Sequence, residues 1–247
     1  MNSAARVSTR FPARLAFAAA VPFALAVAIA LACYFASGGS FFAATSESAS
    51  TKIAPSGATL GLFFGPVLLL PFLAPALALA EENLRARLIA VGALTFGIWL
   101  VWLLTGSIHV SEALRCGLVL AAWVFALAGF ASLLCAAGLH PIFASALTAA
   151  FALAWLTWPV WLSHFLTGQS APIMLTAPHP LLSLNGVLLD HFNAWDRYGI
   201  AYRDLTTLNQ DILFTMPASI SPMVISHIAL GSAGFAIAYR RDRKPVA

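Results

Sequence analysis

Apolar residues in this chain gather into long uninterrupted runs rather than alternating with polar ones. Six runs reach the roughly 20 apolar residues that a helix needs to cross a bilayer: residues 15–36, 58–80, 88–106, 113–138, 142–166 and 212–239. The pattern predicts an all-α integral membrane protein. Its expected form is a six-transmembrane-helix bundle, one polytopic domain over residues 1–247, with no separate soluble unit. Between the fifth and sixth runs lies the only long loop dense in charge, residues 167–211.

That loop has a pattern of its own. Leu181, Leu184, Leu188, Phe192 and Trp195 recur at helical spacing, while Ser183, Gly186, Asp190 and Asn193 fall on the other face. Pro180 suits a first helical position. The segment therefore predicts an amphipathic interfacial helix, lying on the outer membrane surface or capping the bundle.

Proline and small residues mark the runs individually. The second contains Pro66, Pro71 and Pro75, each of which removes a backbone donor and favours a kink. Neighbouring helices are then required to satisfy the freed carbonyls. The fourth is rich in Ala, Gly and Ser from Ala121 to Ala136 and reads as a central, closely packed helix. The sixth reads as a broken helix, with Pro217 and Pro222 and a polar stripe formed by Thr215, Ser219, Pro222 and Ser226. On that reading His227 sits near its midpoint, where an ionisable residue points to function. Gly231 and Gly234 call for a close helix neighbour.

Composition agrees with this picture: 61% of residues are hydrophobic and 9% charged, whereas a soluble domain carries about a quarter charged residues. The net charge of +4 does not indicate a nucleic-acid partner, because of where the basic residues lie. Arg6, Arg10, Arg14, Arg85, Arg87, Arg240, Arg241, Arg243 and Lys244 share one side of the predicted topology, against Lys52, Arg115, Arg197 and Arg203 on the other. The positive-inside rule then places both termini in the cytoplasm, in a cell inner (plasma) membrane. The first run has a basic flank like a signal peptide's, but it exceeds the usual apolar length of about 7–15 residues and reads as a retained anchor. Cys33, Cys116 and Cys135 show no metal spacing and read as small buried residues.

Candidate chemistry is sparse. Trp99 and Trp102 end the third run, and Trp155, Trp158 and Trp161 end the fifth. They read first as an aromatic belt at the headgroups, with a ligand-stacking wall as the alternative. His164, His179 and His191, beside Asp190 and Asp196, are the nearest approach to a metal set, though their spacing fits no known ligand motif. His227, Ser219, Ser226, Trp158 and Trp161 are the candidate substrate-binding residues. No cofactor is specified. A membrane-depth bis-histidine haem site is disfavoured, because His109, His140 and His164 lie near span ends. No nucleophile–base pair is evident, so the reading leans away from an enzyme. The partners expected are the lipid bilayer and other protein subunits. The leading expectation is a membrane-embedded subunit of a larger complex. The alternatives are a permease or transporter component with a site near the sixth helix, and an outer-face metalloenzyme.

Overall fold

The computed structural model describes residues 10–36, 57–105, 108–161, 173–188 and 217–242. These form eight helices and, among the described residues, no strand. They are α1 (Arg10–Ala36), α2 (Gly57–Ala80), α3 (Leu84–Leu104), α4 (Val110–Ala136), α5 (Pro141–Trp161), α6 (Ile173–Thr176), α7 (Pro180–Val187) and α8 (Ser221–Asp242). Six of them, α1 to α5 and α8, are long and apolar enough to cross a membrane. The protein is thus an all-helical chain compatible with a multi-pass membrane protein, as the hydropathy pattern predicts.

The core lies on α4 and α2. Along α4, Ala122, Ala126, Ala128, Gly129, Ala131 and Ser132 are buried, so the small residues do bring neighbouring backbones close. The most extensive pairing in the molecule joins α4 to α8, followed by α1 to α3. At the α4–α8 crossing a Cβ on Gly129 would overlap the Gly231 backbone, and one on Gly234 would overlap the Gly129 carbonyl. The close neighbour expected of Gly231 and Gly234 is therefore α4. Otherwise α8 stands apart: its pairing with α4 is its only substantial one among the described elements.

Short turns tie the helices at one end. Asn83 Oδ1 accepts from Ala86 N at 2.8 Å and caps α3. Arg87 spans the turn, with Nε donating to Glu81 O at 2.9 Å and Nη1 to Ser132 Oγ at 3.3 Å. Gly138 ends α4 with φ of 103°, a left-handed cap that glycine takes without strain, and Pro141 opens α5. The opposite end, where α1, α3 and α5 finish and α8 begins, is the loop side. There Glu112 Oε2 accepts the His109 N–H at 2.9 Å and holds the start of α4.

The prolines of α2 have partners. Pro66 has no N–H for the carbonyl four residues back, that of Leu62, and Pro71 has none for Val67. Trp102 Nε1 donates to Leu62 O at 2.8 Å, and Trp123 Nε1 donates to Val67 O at 3.4 Å. Indoles from α3 and α4 thus fill two of the gaps, and α2 stays helical throughout.

Two sequence expectations are corrected. The sixth spanning helix begins at Ser221, not at residue 212: Pro217–Ile220 are not helical, and Pro222 sits in the first turn, where its missing N–H costs nothing. The helix is therefore unbroken, and Ser219 shares no helical face with Ser226. Ser219 Oγ instead accepts the Ser221 N–H at 3.2 Å, at the start of α8. The second correction concerns α7, whose predicted wet face is covered: Pro180 to Asn185 and Val187 are all buried, Ser183 among them. This helix packs into the bundle against α4 and α2. Gly186 has no room for a Cβ because the Pro217 carbonyl lies there. The part of the predicted stripe beyond Leu188 lies outside the described residues.

Candidate functional site

Two histidines are buried in the bundle, one at its loop side and one at mid-depth. His179 precedes α7 and is its cap: Nδ1 accepts the Leu182 N–H at 3.2 Å. That bond places the ring proton on Nε2, which donates to Leu156 O at 3.2 Å. The target stretch of α5 is opened by Pro159, which has no N–H for the Trp155 carbonyl. Trp155 and Trp158 close on the imidazole, each with its ring centre at 5.9 Å. Burial pushes the His179 pKa down to about 3, although hydrogen bonding to the Leu156 and Trp155 backbone works the other way. The ring is neutral and both nitrogens are engaged.

His179 therefore offers no lone pair to a metal in this arrangement. His164 and His191 lie outside the described residues, as do Asp190 and Asp196. Among the described residues no three His, Cys, Asp or Glu side chains gather where a metal ion could bind. The residue expected as a ligand instead fastens α7 to α5.

His227 is different. It lies six residues into α8, about 9 Å from the helix start at 1.5 Å per residue. Because α8 begins alongside the interior of α4, His227 lies level with Trp123, the central residue of α4, at the mid-depth where the sequence placed it. Its side chain is 6% exposed. Nδ1 donates to Met223 O one turn back, at 2.9 Å. The ring stands edge-on to Trp123, centre to centre 5.4 Å. Trp123 is in turn held by its bond to the carbonyl that Pro71 frees. Among the described residues Nε2 has no hydrogen-bond partner.

His227 faces a cleft of about 430 Å³ between α4, α5 and α8. The cleft exists because α5 and α8 both flank α4 without packing closely on each other. Leu127 and Phe130 form its floor, Phe151 and Trp155 one wall, His227 and Leu230 the other, and Pro178 stands at its loop end. Thr148 and Ser226 also line it, but their hydroxyls turn back on their own helices, donating to Ala144 O at 2.7 Å and Met223 O at 3.0 Å.

Of the predicted binding residues, the cleft brings together His227 and Ser226. Ser219 lies at the start of α8 and does not line it. Trp158 is 2% exposed, packed on His179, and outside the cleft lining. The side chain of Trp161 lies outside the described residues. Trp102 and Trp158 are buried in the bundle and do not form a belt facing lipid. Sequence reasoning missed Thr148 and Phe151 as site residues and offered Trp155 only within the alternative stacking wall. Trp155 was visible in the same i+3 row as Trp158, but only the packing of α5 on α4 decides which of the two reaches the cleft. No family model matches the chain, and no curated protein or solved structure does either.

Proposed function

We propose that the chain is a membrane component that binds a lipid-like amphiphile in the cleft between α4, α5 and α8. The single observation behind this reading is the cleft itself: about 430 Å³, apolar walls, and one buried histidine with an uncommitted nitrogen. A volume of this size suits a small-molecule site, and such sites combine apolar walls with few placed polar groups. Because α5 and α8 are the side walls, the opening is lateral, and an amphiphile would enter it from the bilayer. This is the transporter-component reading, with its site at His227. The distribution of basic residues supports an inner-membrane location with cytoplasmic termini.

The test is photo-crosslinking in nanodiscs with a clickable alkyl-diazirine probe, followed by peptide mapping. The expected result is labelling concentrated on Phe151, Trp155 and Leu230 and blocked by Leu230→Trp. Labelling spread evenly over all lipid-facing helices overturns the reading.

A second reading, a subunit of a larger complex, rests on α8. Among the described elements this helix packs substantially on α4 only, and a second groove of about 790 Å³ runs between α3, α4 and α8. Purification from native membranes with mass spectrometry of co-purifying proteins tests it. A stoichiometric partner supports it, and a solitary chain counts against it.

A further inference from the structure

The polar atoms of the cleft select a headgroup. The Nδ1 proton of His227 is committed to Met223 O, and in the neutral ring this leaves Nε2 as an acceptor. Thr148 and Ser226 have given their hydroxyl protons to backbone carbonyls and keep only lone pairs. The Trp123 indole proton is spent on Val67 O. Trp155 lines the opposite wall with its indole ring. Among the described residues no Lys, Arg, Asp or Glu lines the cleft.

An anionic head would enter this apolar space without a cation to pair with, which is strongly unfavourable. A cationic head would lack a carboxylate. A ketone or ether only accepts, so it would leave the buried Nε2 unpaired. A hydroxyl carries a proton to donate without bringing a charge, and so suits an imidazole acceptor. Resting on the amphiphile-binding reading above, we propose that the ligand is an uncharged lipid alcohol whose hydroxyl donates to His227 Nε2 while its apolar body fills the cleft.

The experiment is competition in nanodiscs containing the full chain. The alkyl-diazirine probe labels the cleft, and hexadecanol, its methyl ether, the corresponding methyl ketone and palmitate compete. Hexadecanol is expected to compete about tenfold more strongly than the ether or ketone, the usual cost of leaving a buried acceptor unpaired. In His227→Phe that preference is expected to vanish while labelling persists. Diacylglycerol and a polyprenol, run as further competitors, tell a two-chain from a single-chain body. Equal competition by alcohol, ether and ketone in the wild type sinks the headgroup inference and leaves the site standing, and so does preference for palmitate. Cleft labelling that no competitor displaces removes both the inference and the site. Nitrogen NMR of labelled histidine supplies a readout independent of the variant. The His227 Nε2 resonance must be that of an unprotonated nitrogen and must shift with hexadecanol but not with the ether. An Nε2–H tautomer overturns the proposal.

Discussion

His179 and His227 are both buried, both neutral-ring hydrogen bonders, and both packed against tryptophan, yet they do opposite things. The first has a backbone partner for each nitrogen and ties α7 to α5. The second spends one nitrogen on its own helix and keeps the other for the cleft. Burial alone therefore does not mark a functional histidine in a membrane protein. The number of ring nitrogens already answered by the backbone does.

The largest expected effect comes from breaking the first histidine. His179→Ala strands the Leu182 N–H, removes the bond to Leu156 O and leaves a cavity, so a loss of about 3 kcal/mol is expected. Thermal unfolding in mild detergent measures it. Acid reaches the same residue without mutation. The folded pKa lies near 3 and the ordinary value is 6.5, so between the two the unfolded chain binds the proton and the folded chain does not. This contribution to stability is complete above about pH 6.5 and falls as pH drops toward 3. Wild-type transitions across that window are expected to show the slope, and His179→Ala to flatten it.

Breaking the platform under the second histidine comes next. Gly234→Leu drives a side chain into the Gly129 backbone and is expected to cost about 2 kcal/mol. It should also abolish cleft labelling, which His179→Ala should only weaken. Smaller again is Trp102→Phe, which leaves the Leu62 carbonyl open; about 1.5 kcal/mol is expected from unfolding in the same detergent. The smallest effect on stability is that of His227→Phe, expected to be under about 1 kcal/mol because only a bond within one helix turn is lost. If His227→Phe proved as costly as His179→Ala, the contrast between the two residues would collapse.

Hydropathy made the six spanning helices legible, because runs of apolar residues act through composition and need no knowledge of partners. The small residues of α4 and the glycines of α8 were legible for the same reason, since close approach leaves a mark at both ends. His227 was visible as an oddity at mid-depth, but the start of its helix was not: Pro217 and Pro222 were read as breaks within a helix when they mark its approach and first turn. The role of the tryptophans was hidden because each indole answers a carbonyl on another helix. Trp102 looked like a belt residue until Pro66 was seen to have opened Leu62 beside it. His179 looked like a ligand because no local signal reveals that Leu156, 23 positions away, accepts its proton.

The pairing of prolines on α2 with indoles on α3 and α4 carries a consequence for biogenesis. Helices enter the membrane in the order of their synthesis, so α2 arrives before the tryptophans that complete it. Until then two of its carbonyls face hydrocarbon without a donor, an unfavourable state in lipid. The tight turn from Glu81 to Asn83 brings α3 immediately behind it, and with α3 comes Trp102. The α2–α3 hairpin therefore closes only the gap at Leu62, and α2 is complete only when α4 brings Trp123 to Val67.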